Sequence, residues 1–200
     1  LIENPVHYRD SRTDTMPDEV FSILPKNRLY GETGIQIMPF NTIFQLYYVK
    51  KYKPELYDRA DKLLLIPDLM AYFLSGKMHA ERTFASTTQL TDAATKDWSE
   101  VIIGALGFKR SLFPDIIDSG SEYGMLKDDI CKKLGINSVP VIAVCCHDTA
   151  SAIFSVPANG HPLYLSCGTW SLLGTLSDNP ILSEESMAAN FTNETGYGGV

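Results

Sequence analysis

This 200-residue sequence is short of several things at once. It has no Gly-x-x-x-x-Gly-Lys-Ser/Thr loop, which excludes a P-loop nucleotide site on this segment. Its four cysteines, Cys131, Cys145, Cys146 and Cys167, show no Cys-x-x-Cys spacing, so a zinc site of that pattern is excluded too. No apolar run reaches the roughly 18 residues of a membrane-crossing helix, and no secretory signal pattern is visible. Positive charge is scarce: 17 Lys and Arg face 24 Asp and Glu, a net charge of -7. That balance argues against a nucleic-acid surface, which should be basic. The densest basic cluster, Lys50, Lys51 and Lys53, reads as a solvated helix face. Internal repeats, low-complexity tracts and coiled-coil heptads are missing as well. What is present is a globular composition, with 44% hydrophobic residues. Two hundred residues suffice to bury a core.

One stretch stands out. The apolar run from Val139 through Cys146 ends abruptly in His147, Asp148 and Thr149, followed by small residues suited to a helix entrance. A run that apolar reads as a strand buried on both faces of a parallel sheet. Ligands bind beyond the carboxyl ends of such strands, so an acid there is a candidate catalytic base. The plainer reading is a helix cap, a role Asp fills well. On local sequence alone the cap is favoured.

About twenty residues on, the short runs Leu163–Ser166 and Trp170–Leu173 flank Cys167-Gly168-Thr169. This reads as a tight hairpin with glycine at the turn, a position that can require positive φ. Such a turn can aim backbone N–H groups and a hydroxyl at an anion. An ordinary hairpin is the competing reading.

Elsewhere the pattern predicts a strand over 1–8 and helices over 17–24 and 42–53, the second ended by Pro54. Pro67 marks the first turn of a helix over 68–74 that Gly76 stops. Residues 81–89 read as a polar Thr/Ser-rich loop, 97–106 as a helix closed by Gly107, 114–124 as a loop and 127–134 as a helix. Pro157-Ala-Asn-Gly160 reads as a turn and a domain boundary. Cys145 and Cys146 lie in the expected strand and read as small hydrophobes. Adjacent strand residues point to opposite faces, so Cys146 and His147 cannot pair as nucleophile and base there. Asn190-Phe-Thr192 and Asn193-Glu-Thr195 match a glycosylation pattern by chance.

Taken in order, several segments resemble the FGGY carbohydrate kinases, most closely their rhamnulokinase branch. They are Asn4-Pro-Val-His-Tyr-Arg-Asp-Ser-Arg-Thr13, Gly34-Ile-Gln-Ile-Met-Pro-Phe-Asn-Thr42 and Leu64-Leu-Ile-Pro-Asp-Leu-Met-Ala-Tyr-Phe-Leu-Ser-Gly76. Ala85-Ser-Thr-Thr-Gln-Leu90, His147-Asp-Thr-Ala-Ser-Ala152, Ser166-Cys-Gly-Thr-Trp-Ser-Leu-Leu-Gly174 and Asn190-Phe-Thr-Asn-Glu194 complete the set. The resemblance implies an α/β fold of the actin-like ATPase (ribonuclease H-like) type, with two domains around a cleft, incomplete in this chain. Residues 1–156 would be the later part of the N-terminal, sugar-binding domain. Residues 157–200 would open the C-terminal, ATP-binding domain. Family members are about twice this length, so the resemblance implies an internal fragment, inert alone and prone to associate through Leu163, Leu165, Leu172 and Leu173.

The implied activity of the whole protein is cytoplasmic, ATP- and Mg2+-dependent phosphorylation of a ketose, with L-rhamnulose giving L-rhamnulose 1-phosphate. By resemblance Asp148 is the base, His147 and Thr149 bind the sugar beside it, Asn41 approaches the sugar, and Gly168 and Thr169 contact ATP. Arg9, Asp10 and Arg12 read as an ion-pair network and Trp170 as a core anchor, while Gln89 reads either as facing the cleft or as a satisfied polar loop residue. The expected partners are the sugar and ATP, without nucleic acid or membrane. Competing readings are a kinase for fuculose or xylulose, a non-catalytic sugar-binding module on the same fold, and a thiol hydrolase using Cys146.

Overall fold

A computed structural model describes residues 1–157 and 160–199. The chain opens without a strand. Residues 1–8 have no ladder partner among the described residues, and a strand without one is not stable. Helices α1 (Met16–Phe21), α2 (Lys26–Thr33), α3 (Thr42–Tyr52), α4 (Pro54–Arg59) and α5 (Ile66–Ser75) follow. Pro54 ends α3 and also opens α4, since proline lacks the N–H that a first-turn residue can spare. Pro67 does the same in α5, and Gly76 closes that helix at φ 76° with its N–H on Tyr72 O. Strand β1 (Ala80–Glu81) runs into α6 (Arg82–Ser86), so the expected polar loop is partly helical. Then come α7 (Glu100–Ala105), β2 (Ile116–Ile117), β3 (Glu122–Met125), α8 (Asp128–Leu134), β4 (Pro140–Ile142) and α9 (Asp148–Phe154). The hairpin β5 (Leu163–Cys167) and β6 (Ser171–Thr175) precedes α10 (Glu184–Ala188). The expected turn at 157–160 includes Ala158 and Asn159, which lie outside the described residues.

The chain forms two compact units, each assembled from separated stretches. The first comprises Leu1–Leu63, Ser86–Pro114 and Ile181–Glu194. Leu29, Tyr30, Ile43, Phe44, Leu90 and Ile102 are fully buried in it. There α1 and α4 pack on α3, and α10 packs on α2. Gly34 ends α2 at φ 67°, and a Cβ there would lie 2.8 Å from Leu182 Cδ2 and 2.9 Å from Asn193 Cβ. Asn193 Nδ2 donates to Gly34 O (3.0 Å) and Ile181 O (3.1 Å), while Tyr30 and Ser186 share a hydroxyl bond of 2.7 Å. Asn190 Oδ1 accepts from Ile37 N at 2.9 Å.

The second unit comprises Leu64–Ala85, Asp115–Pro180 and Thr195–Val200. Its described sheets are three pairs: β1 with β2 parallel, β3 with β4 antiparallel and β5 with β6 antiparallel. The reading of 139–146 as a doubly buried parallel strand is therefore corrected. β4 is three residues long and antiparallel to β3, and Val139, Ile142 and Val144 are exposed. Beyond Ile142 the backbone bonds to loops instead of a ladder: Ala143 N donates to Ser121 O, and Gly120 N to Ala143 O. Apolar composition marked the segment but could not say what covered it. Helix α5 packs on β3 and β4 through Ala71, against Tyr123 and Ala143.

Other sequence readings change in detail. Arg9, Asp10 and Arg12 form no ion pair with one another among the described residues. Asp10 instead caps the 3-10 turn Ser11–Thr13 by accepting from Arg12 N, and Arg12 lies over the Tyr48 ring. Lys50 donates to Leu106 O at the end of α7, Lys51 pairs with Glu19 and Lys53 with Glu3, so the basic cluster is engaged. Trp170 is half exposed and anchors no core. Helices α2 and α10 had no counterpart in the sequence reading.

Candidate active site

The second unit is built around two buried carboxylates, both inaccessible to solvent. Asp68, on α5, accepts the Tyr123 hydroxyl proton at 2.6 Å and the Glu81 N–H at 3.0 Å, both on Oδ1. Its Oδ2 is buried with no hydrogen-bond partner among the described residues. Burial pushes the Asp68 carboxyl up to about 6, and the neighbouring Glu81 charge pushes the same way against hydrogen bonding from Tyr123 and the Glu81 and Leu65 backbone. Glu81 accepts from Thr83 N and Ser119 Oγ on Oε1, and from Thr83 Oγ1, Phe84 N and Cys146 N on Oε2. Thr83 Oγ1 in turn accepts from His147 N at 3.2 Å. The backbone leading into α9 is thus fastened from below.

Above that fastening stands Asp148. It is the first residue of α9, and His147 occupies the cap position without a side-chain cap bond. The plain capping role considered for Asp148 therefore does not describe it. Its side chain is 98% exposed, while Oδ1 accepts from Thr149 N at 2.7 Å and lies 3.4 Å from Thr149 Oγ1. Thr149 is buried, so its geometry orients Asp148. His147 is mostly covered, lies against the Phe84 ring and holds Nε2 3.8 Å from Asp148 Oδ1. An exposed carboxylate on a fixed backbone can accept a proton from a bound hydroxyl.

Cys146 was the competing nucleophile. Burial pushes its thiol up to about 11, with the Glu81 and Asp68 carboxylates adding to the shift. At neutral pH it remains a thiol, and the thiolate is the reactive species. That removes the basis for a thiol hydrolase.

Gly168 and Thr169 form the exposed turn between β5 and β6, and α9 packs against β5. Gly168 N donates to Trp170 O at 2.9 Å. The positive φ expected at Gly168 is corrected: its φ lies outside the left-handed region, and a Cβ would meet only Trp170 O at 3.9 Å. With the Gly168 amide held by Trp170 O, the exposed turn leaves the Thr169 hydroxyl accessible.

Asn41 lies in the first unit. It is buried at the start of α3 and donates Nδ2 to Gln36 O (2.8 Å) and Gln89 Oε1 (3.1 Å). Gln89, fully buried at φ 62°, donates to Ile35 O. It is the satisfied polar residue that the sequence suggested.

A model of the FGGY family of carbohydrate kinases, N-terminal domain, matches residues 1–155. The chain belongs to that family. A rhamnulokinase of Bacteroides thetaiotaomicron is 41% identical over 200 residues, 100% of this chain and 41% of the relative. One of Oceanobacillus iheyensis is 44% identical over 195 residues, 98% of this chain and 41% of the relative. The chain thus spans about two fifths of these relatives. The crystal structure of a carbohydrate kinase from Novosphingobium aromaticivorans aligns with TM-score 0.75 and 25% identity, covering 90% of this chain and 39% of that one. A gluconate kinase from Lactobacillus acidophilus aligns with TM-score 0.65 and 24% identity over 71% of this chain and 29% of its own. The α/β fold is that of FGGY sugar kinases. No helix among the described residues is long and apolar enough to cross a membrane.

Sequence reasoning missed Asp68, Glu81 and Thr83 as the support of this site. A dense Ser/Thr run beside an acid was the available signal, because such residues bond to nearby backbone.

Proposed function

We propose that the full-length protein carrying this chain phosphorylates a ketose with ATP, and that the ketose is L-rhamnulose, giving L-rhamnulose 1-phosphate. The observation that carries the reading is 41–44% identity to rhamnulokinases along essentially all of this chain. The Asp148 carboxylate accepts the proton of the C1 hydroxyl as that oxygen bonds to the γ-phosphorus and ADP leaves. Thr149 holds the acceptor oxygen in orientation, and His147 flanks it on the sugar side. The Thr169 hydroxyl is offered to the phosphates, on a turn where Gly168 has no side chain to block their approach. Asn41 is retained as a sugar-binding residue on the family pattern. We place the domain boundary after residue 156, a division supported by the end of the family match at residue 155.

ATP chemistry of this kind takes Mg2+ as charge neutraliser. No group of three or more His, Cys, Asp or Glu among the described residues could hold a metal ion, so these residues form no cage of their own and no step is assigned to the ion.

The test is a sugar panel with ATP on the full-length protein. L-Rhamnulose should exceed L-fuculose and D-xylulose by about tenfold or more in kcat/KM. A preference for another ketose would keep the kinase and overturn the sugar. Binding without turnover of any sugar would replace the kinase with a binding module.

A further inference from the structure

We infer that Glu81 is a positioning residue for the proposed base, acting through the backbone of Cys146 and His147. The inference rests on the reading of Asp148 as the proton acceptor. Glu81 is 0% exposed. Burying a carboxylate is costly unless donors meet its lone pairs. Here donors come from three separate places: Thr83 and Phe84 on α6, Ser119 between β2 and β3, and Cys146 in the loop before α9.

A capping function alone would explain only some of these bonds. Glu81 precedes α6, and its bonds to Thr83 N and Phe84 N serve first-turn amides that have no partner within that helix. Capping does not require the bond to Cys146 N at 3.1 Å. Nor does it require Thr83 Oγ1 to donate to Glu81 Oε2 while accepting from His147 N. Together these hold two consecutive amides directly before Asp148. The result is a fixed backbone under a side chain that is 98% exposed. A base needs that combination, because a displacement on the order of 1 Å can cost about 100-fold in rate. In Glu81→Gln one oxygen becomes an NH2 group, which cannot accept from N–H donors.

The experiment uses the full-length protein with Glu81→Gln, Thr83→Val, Thr83→Ser and Asp148→Asn. Glu81→Gln and Thr83→Val should lower kcat about 10- to 100-fold, with KM for ATP unchanged within about twofold, and Thr83→Ser should restore it. On the Asp148→Asn background, Glu81→Gln should cost less than about a further twofold, because residues acting as a unit are non-additive. Hydrogen exchange at the Cys146 and His147 amides should quicken in Thr83→Val whatever the activity. Unchanged exchange, or quickened exchange with wild-type kcat, would overturn the positioning role. If Glu81→Gln does not fold, the two Thr83 variants decide. A fully active Asp148→Asn would instead sink the base assignment, independently of how the amides exchange.

Discussion

Two loops of the second unit carry the chemistry proposed here, and they are held in opposite ways. The loop from Ala143 to His147 is short of regular structure yet pinned to the buried Glu81 carboxylate, directly through Cys146 N and by way of the Thr83 hydroxyl through His147 N. The β5–β6 turn has a regular ladder beneath it, from Leu163↔Thr175 to Cys167↔Ser171, and its apex is exposed. A proton acceptor must be placed to a fraction of an ångström, so its loop is over-determined. In its proposed role a phosphate-binding turn tolerates adjustment, and a plain hairpin serves.

The contrast is broken most severely at its centre. Asp148→Asn keeps the shape of the exposed side chain and removes the acceptor. Turnover in the full-length enzyme should fall about 100- to 10,000-fold at neutral pH, with sugar binding weakened but measurable by calorimetry. Near-normal turnover would mean the pinned loop holds something other than the base.

On the hairpin, Thr169→Val removes one hydroxyl from an exposed turn. A hydrogen bond to a charged group contributes about 1.5–3 kcal/mol, so KM for ATP should rise about tenfold or more while KM for the sugar stays near wild type. Damage confined to the sugar would assign the turn to the wrong substrate.

The Asp68 carboxylate, which holds the Glu81 amide beneath the pinned loop, should also carry a pH signature. The Asp68 carboxyl is raised from 3.8 to about 6, so the folded state holds its proton more tightly than the unfolded chain. That contribution to stability is complete below about 3.8 and is lost as pH rises through about 6. Asp68→Asn has no such proton to lose. Its melting temperature relative to wild type should climb between pH 4 and pH 6 and level off above. A flat difference would remove Asp68 from the titrating groups.

Gly168→Ala should have the smallest effect. The turn does not need left-handed φ there, and the new methyl meets only Trp170 O at 3.9 Å. Stability should change by less than about 1 kcal/mol in chemical denaturation. A larger loss would show that the turn is as constrained as the loop.

What the sequence disclosed follows the same divide. The hairpin was legible because two β-rich runs around Gly168 are a local signal. Helix α5 was legible from Pro67 and Gly76, which act on their own backbone. The residues His147, Asp148 and Thr149 were legible only through their family pattern. The doubly buried parallel strand expected before them is the short antiparallel β4, because apolar residues such as Val144 announce burial without saying against what. Glu81 and Gln89 read as loop residues, since nothing local distinguishes a solvated acid or amide from one met by distant donors, Ser119 for Glu81 and Asn41 for Gln89. The roles of Asp68 and Glu81 depend on Ser119, Tyr123 and Cys146, which lie 38 to 65 residues away.

Gly34 also bears on how this chain acquires its shape during synthesis. Its turn is walled in by Leu182 and Asn193, and the bonds from Tyr30 and Gly34 to Ser186, Phe191 and Asn193 span 156 to 163 residues. A ribosome therefore delivers α2 long before the segment that seals it. Until residues 181–194 emerge, the early helices remain an unfinished module with apolar side chains awaiting their cover. Contacts of such high sequence separation slow folding and prolong exposure to aggregation.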